Sequence, residues 1–321
     1  MTNQLYSFRQ GDSLLSAPLD ACLWRAPTDN DRGGGPLSYH SQWRAAGLHC
    51  LVRDSREADH ALVSAIETSD GFVIVETAWT LHPREKCPVA CKIACTATYV
   101  FMHEEGGIHV TSTVECPASL PPLPRVGIRM ALSGDLYRVQ WFGAGPHEAY
   151  DDRRSCAYLG LFDCPVEQMH TPYVVPQENG RRAEPRWFSL RRGAAADGAP
   201  AGGVIIVPFP PRVARRAKSV KRWGFSASRH SLEQLEAAAH EHELEPSAEG
   251  IHVHVDSRSM GTGGFDSWSP NVESRYHVRA AAAGDSPFVT SVVMIPIANT
   301  SRCDSADIYN YVKASVLYAS E

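Results

Sequence analysis

No stretch of the 321 residues approaches the roughly 18 consecutive apolar residues of a membrane-spanning helix. The chain is therefore expected to be soluble, with no membrane partner. The opening, MTNQLYSFRQGD, lacks a basic segment followed by an apolar run, so no secretory leader is expected and a cytoplasmic location is. Charge of one sign is also lacking. Lys+Arg total 31 against Asp+Glu 36, a net charge of -5, which argues against a nucleic-acid partner. Gly and Pro are not pooled into a linker, and no internal repeat is evident. A single domain over 1–321 is the expectation, although 193–203 (GAAADGAPAGG) reads as a flexible loop. Strand and helix patterns do not alternate, which excludes a (β/α)8 barrel.

Cysteine is present but in an odd number, nine, at 22, 50, 87, 91, 95, 116, 156, 164 and 303. Without a leader, reduced thiols are the better reading. The spacing of four in Cys87, Cys91 and Cys95 fits no common zinc pattern, so no metal and no cofactor is expected. On a strand, Cys91 and Cys95 would share a face as small apolar residues.

What remains is mostly β-structure. Apolar residues make up 43% and charged residues 21%, a globular composition. Segment 60–82 holds two β-branched runs around the turn signal Ser69-Asp70-Gly71, and 91–116 repeats that form around Glu104-Glu105-Gly106-Gly107. Further strands are expected at 125–132, 136–142, 186–191, 203–208, 222–229, 250–256, 274–281 and 287–296. On the strand at 250–256, His252 and His254 should face solvent opposite Ile251, Val253 and Val255. One helix is signalled by Ser231 and Gln234, a capping-box pair ahead of LEQLEAAAHEHEL. A second is expected in the tail, 298–321. There Asp304 or Ser305 can cap, and Ile308, Tyr311, Val312, Ser315, Val316 and Ala319 share a face. The fold class is all-β, a large antiparallel sandwich with one or two short helices. The basic stretch 212–222, followed by Trp223 and Phe225, reads as a solvated loop rather than a nucleic-acid patch.

Four stretches do not look like sandwich filler. The first runs Trp24-Arg25-Ala26-Pro27-Thr28-Asp29-Asn30-Asp31. Its Arg25, Asp29, Asn30 and Asp31 supply the paired donors and acceptors that sugar hydroxyls need, or else staple a turn. The second, Gly145-Pro146-His147-Glu148-Ala149-Tyr150-Asp151-Asp152-Arg153, offers His147, Glu148 and Arg153, the last as an ion-pair partner of Asp151 or Asp152. In the third, Pro172-Tyr173-Val174-Val175-Pro176-Gln177-Glu178-Asn179-Gly180-Arg181, the candidates are Glu178, Asn179 and Arg181. The fourth, Met260-Gly261-Thr262-Gly263-Gly264-Phe265-Asp266-Ser267-Trp268, holds Asp266 beside a tryptophan that could stack on a sugar ring.

In this order the four stretches resemble the motifs RAP-x-DND, GP-x-EnYxDR, PYV-x-P-x-ENG-x-R and MG-x-GG-x-DSW. Those motifs belong to the C-terminal domain of glycoside hydrolase family 2 β-galactosidases, also called the β-galactosidase small chain. The likeness runs from about residue 22 to 297. It implies the galactose-mutarotase-like supersandwich, with Trp268 reaching an active site and packing against the sugar. The family's two catalytic glutamates lie in a separate barrel, and this chain has neither barrel nor Asn-Glu dipeptide. No carboxylate pair of the kind that retaining hydrolysis requires can be nominated, so no catalytic residue is expected here. The resemblance implies a galactoside or other carbohydrate as ligand. It also implies a domain that completes the site of a large catalytic subunit, with a homo-oligomer as a further possibility. Alternatives are a free-standing carbohydrate-binding or structural module, or a mutarotase-type epimerase built on His147 with Glu148 or Asp266.

Overall fold

The computed structural model describes residues 9–10, 12–53, 64–67, 73–89, 91–101, 107–193, 202–209, 223–264, 266, 269–280 and 287–297. Strands in chain order are β1 (Arg9–Gln10), β2 (Asp12–Ser13), β3 (Leu15–Cys22), β4 (Leu51–Arg53), β5 (Ser64–Glu67), β6 (Val73–Pro83), β7 (Ile93–Phe101), β8 (Ile108–Glu115) and β9 (Arg125–Leu132). They continue as β10 (Arg138–Gly145), β11 (Tyr158–Pro165), β12 (Arg182–Ala183), β13 (Trp187–Arg191), β14 (Gly203–Pro208), β15 (Gly224–Ser228), β16 (Ile251–Ser259) and β17 (Phe288–Ile297). All described pairings are antiparallel.

Period-two patterning explains how two sheets share one core. The larger sheet runs β11-β10-β13-β14-β17-β8-β7-β6-β4, with β5 also on β6; the smaller runs β12-β15-β16-β9-β3. Val126, Ile128, Met130 and Leu132 of β9 and Ile251, Val253 and Val255 of β16 point into the same core as Phe288, Val292 and Met294 of β17. The larger sheet buries its other face too, through Trp187, Ile205, Val207, Phe209, Val293, Ile295 and Ile297. The antiparallel sandwich expected from the sequence is the observed architecture.

Several local expectations are corrected. His252 and His254 are buried, because β16 lies inside the smaller sheet and is covered on both sides. His252 Nε2 meets Ser247 Oγ at 2.8 Å, and burial holds the pKa of His254 well below its ordinary value. The strand expected at 274–281 is not formed over its described residues, 274–280: Ser274–Tyr276 is a 3-10 turn, and Val278 makes an isolated bridge to Leu123. The capping box at Ser231 is present, but its helix stops at Ala237, where Ala238 turns to an extended ψ of 132°. Two further helices, Asp29–Arg32 and Tyr39–Ala45, were not signalled by any long apolar period. Strand β3 contains Pro18 and sits at a sheet edge, beside register shifts at Ala17 and Asp20, where a missing N–H is tolerated.

Cys91 and Cys95 are buried as small apolar groups, and burial pushes the Cys91 thiol up to about 11. The eight described cysteines are free. Trp223 and Phe225 are core residues rather than exposed stacking platforms. The tail helix expected in 298–321 and the basic stretch 212–222 lie outside the described residues. No helix among the described residues is long and apolar enough to cross a membrane.

Candidate functional site

The four singled-out stretches meet at one end of the smaller sheet, and each holds another in place. Arg25 and Asp31, both with fully buried side chains, pair through Nε to Oδ2 at 2.9 Å and Nη2 to Oδ1 at 2.6 Å. Burial works against the Arg25 charge, but Asp31 more than offsets it, and the guanidinium pKa lies above its ordinary value. Thr28 caps the short Asp29–Arg32 helix in a reciprocal box with Asp31, which is why the aspartate sits where Arg25 reaches it.

The donors left on Arg25 cross to the fourth stretch: Nη1 to the carbonyl of Met260 at 2.9 Å and Nη2 to that of Gly261 at 3.0 Å. Asn30 Nδ2 donates to the carbonyl of Thr262 at 2.9 Å. From the second stretch, Asp152 Oδ2 accepts the backbone N–H groups of Thr262 (2.9 Å) and Gly263 (2.7 Å). A Cβ on Gly261 would fall 2.6 Å from Asp152 Oδ2, so a glycine is required for that approach. Asp266 Oδ1 accepts Ser269 N at 2.7 Å. Trp268 lies outside the described residues.

The third stretch joins through Gln177, which pairs both ways with Asp29 at 3.0 Å. Glu178 Oε1 takes Arg125 Nη2 at 2.8 Å and the Tyr150 hydroxyl at 3.3 Å. Arg125 Nε lies 3.2 Å from Asp256 Oδ1, and Arg181 Nε 3.9 Å from Asp256 Oδ2. Arg181 also reaches Asp151 at 3.6 Å and donates to the carbonyl of Ala149 at 3.0 Å. A Cβ on Gly224 would sit 2.4 Å from the Arg181 guanidinium carbon, so the glycine makes its room. Burial, resisted by both guanidiniums, raises the Asp256 pKa to about 6. Asn179 braces its own loop, accepting Thr171 N at 3.0 Å and donating to the carbonyl of Gln177 at 2.9 Å.

Glu148 is saturated. Arg153 Nη2 (2.7 Å), the Tyr173 hydroxyl (2.5 Å), Thr171 Oγ1 (3.1 Å) and Gly180 N (2.8 Å) all donate to it. The expected pairing of Arg153 with Asp151 or Asp152 is thus corrected: Asp152 is taken by the Thr262 loop, and Arg153 turns to Glu148. Four donors thus converge on Glu148, while Arg125 and Tyr150 share Glu178 Oε1.

His147 stands apart from this network, exposed on the rim of a cavity of about 530 Å³. Glu148, Trp141, Phe162, Asp163, His170, Thr171 and Arg182 also line it. Among the described residues no group of three or more His, Cys, Asp or Glu is placed to hold a metal ion.

Arg125, Gln177, Asp256 and Arg182 were not singled out from the sequence, and Asp152 was read only as a partner of Arg153. Arg125 and Asp256 fall at positions alternate to the core-facing Val126 and Ile128 of β9 and Val253 and Val255 of β16, so period-two patterning gave no sign of their burial.

The sequence matches the family "Beta galactosidase small chain" over residues 1–289. It is 30% identical over 276 residues to a β-galactosidase of Vibrio cholerae, covering 84% of this chain and 23% of that protein. A β-galactosidase of Yersinia enterocolitica is 31% identical over 279 residues, covering 82% of this chain and 22% of that protein. The chain belongs to the β-galactosidase small-chain family, and it spans less than a quarter of the length of these relatives. Among solved structures, a galactose mutarotase related enzyme from Lactobacillus acidophilus aligns over 93% of this chain and 91% of its own, with 9% identity and a TM-score of 0.41. An α-galactosidase from Lactobacillus brevis aligns over 78% and 26%, with 11% identity and a TM-score of 0.35.

Proposed function

We propose that this chain is a non-catalytic, carbohydrate-binding portion of a glycoside hydrolase family 2 β-galactosidase, acting in the cytoplasm. In this reading it completes the active site of a barrel-bearing partner subunit by presenting Trp268 to a galactoside. One observation carries the proposal. The first and second motif stretches spend polar groups on the Met260–Gly263 backbone: Arg25 on two carbonyls, Asn30 on a third, and Asp152 on two N–H groups. Five hydrogen bonds on four consecutive residues make a rigid base for the segment that carries Trp268, which suits a side chain that must be delivered to a site elsewhere. Asp29, Asn30, Asp31, Glu178, Asn179 and Arg181 are, in this reading, positioning residues rather than sugar ligands.

The mutarotase alternative requires a free carboxylate base near His147, and the four donors on Glu148 weigh against it. The test is complementation. The chain alone should not hydrolyse a chromogenic galactoside, whereas mixing it with a barrel-bearing β-galactosidase portion lacking its own C-terminal domain should restore turnover. Trp268→Ala in that mixture should lower it. Turnover by the purified chain alone, or failure of the mixture with no association between its parts, would overturn the reading.

A further inference from the structure

The cavity beside β10 and β11 is lined by a buried cation without a carboxylate. Arg182 is 4% exposed, and among the described residues its guanidinium makes one hydrogen bond, Nη1 to the carbonyl of Gly180 at 2.9 Å. Its Nε is buried without a partner, and among the described residues no carboxylate lies within ion-pair distance. The other arginines that are just as deeply buried, Arg25, Arg125 and Arg181, all have carboxylate partners. Burial pulls the Arg182 pKa down, as expected for a desolvated charge that is incompletely matched. The two carboxylates on the cavity wall are already occupied: Glu148 by its four donors and Asp163 by Arg138. Glu148 and Cys164 act on the Arg182 charge from a distance but do not offset its burial, and no wall carboxylate is directly paired with it.

The remaining lining suits a small polyol. Trp141 and Phe162 pack at 5.1 Å between ring centroids and form an apolar side, while His147, Gln168 and Thr171 supply polar groups. A volume of about 530 Å³ falls within the roughly 300–1,000 Å³ of small-molecule sites. We propose that this cavity binds an anionic monosaccharide, a pyranose bearing a carboxylate or phosphate, with Arg182 holding the anionic group and the Trp141–Phe162 wall facing the ring. The inference goes beyond the small-chain reading and does not rest on it, since Trp268 has no part in it.

Calorimetric titration of the full chain with galacturonate, galactose 6-phosphate, inorganic phosphate and galactose tests this directly. At least one charged sugar should bind tenfold or more tighter than galactose, and added salt should weaken it. The stronger of the two charged sugars identifies the anionic group. Arg182→Gln should cost at least tenfold in that affinity. Gln168 is exposed, so Gln168→Glu carries little folding risk, and its added negative charge should weaken the same ligand several-fold. Charged sugars that bind no tighter than galactose, inorganic phosphate that binds as tightly as either sugar, or a folded Gln168→Glu variant with unchanged affinity would each overturn the proposal. Complementation with a barrel-bearing portion is read separately, so failure here leaves the small-chain reading standing.

Discussion

Arg181 and Arg182 are neighbours in the chain and both are buried, yet they belong to different regions. Arg181 points into the motif cluster, where Asp151, Asp256 and the carbonyl of Ala149 meet it. Arg182 points to the β10–β11 cavity, where one backbone carbonyl meets it. Successive side chains on an extended segment face opposite ways, and that alternation separates a scaffold from a surface open to a ligand. A buried charge matched from within the chain stabilises a shape, whereas one left unmatched lowers the barrier to binding something that supplies the opposite sign.

The matched side should break hardest. Asp31→Ala would leave Arg25 fully buried without a carboxylate and should cost about 3–5 kcal/mol, read by urea unfolding. A double variant, Arg25→Met with Asp31→Leu, should recover much of that loss. A single-variant cost under about 1 kcal/mol would show that the pair is not what holds the cluster.

Asp152→Ala should cost less, about 1.5–3 kcal/mol, because it uncovers two backbone N–H groups rather than a buried cation. Its sharper signature is local. Hydrogen exchange at Thr262 and Gly263 should accelerate more than at β16, and complementation should weaken even where the fold persists.

Acid separates two buried groups that act in opposite senses. His254 has a folded pKa well below the roughly 6.5 of an unfolded chain, so the fold binds fewer protons, and stability present above pH 6.5 is lost as pH falls below it. Asp256, raised to about 6, binds more protons in the fold, so its contribution grows as pH falls from about 6 toward 4. His254→Gln should flatten the acid-side loss, at up to about 1.4 kcal/mol per pH unit, and Asp256→Asn should steepen it. Slopes that move the same way would contradict this assignment.

The β-rich class and most strands were legible because period-two runs of β-branched residues carry their own signal: β9 and β14 occupy the ranges read from the sequence. The histidines of β16 were misread because alternation reports two faces without saying whether the second is covered. The motifs were legible as unusual, but their partners were not. Asp256 lies 75 residues from Arg181 in sequence, and only the sheet register brings them to 3.9 Å. Which of two adjacent arginines meets a carboxylate is decided by packing, and no local pattern encodes it.

The smallest expected effect is the most discriminating for the comparison. Arg182→Met removes a charge that the fold desolvates and barely compensates, and its alkyl chain can still cover the Trp141 ring, whose centroid lies 5.3 Å from the guanidinium carbon. Deleting an unmatched buried charge relieves a desolvation cost, so stability should stay level or rise by up to about 1 kcal/mol. Arg181→Met, by contrast, strips Asp151 and Asp256 of a shared cation and should lower it by about 3 kcal/mol. Paired urea titrations of the two variants read the difference directly. If Arg182→Met destabilises the chain as much as Arg181→Met, then Arg182 belongs to the scaffold, and the cavity loses the charge that marks it as a site.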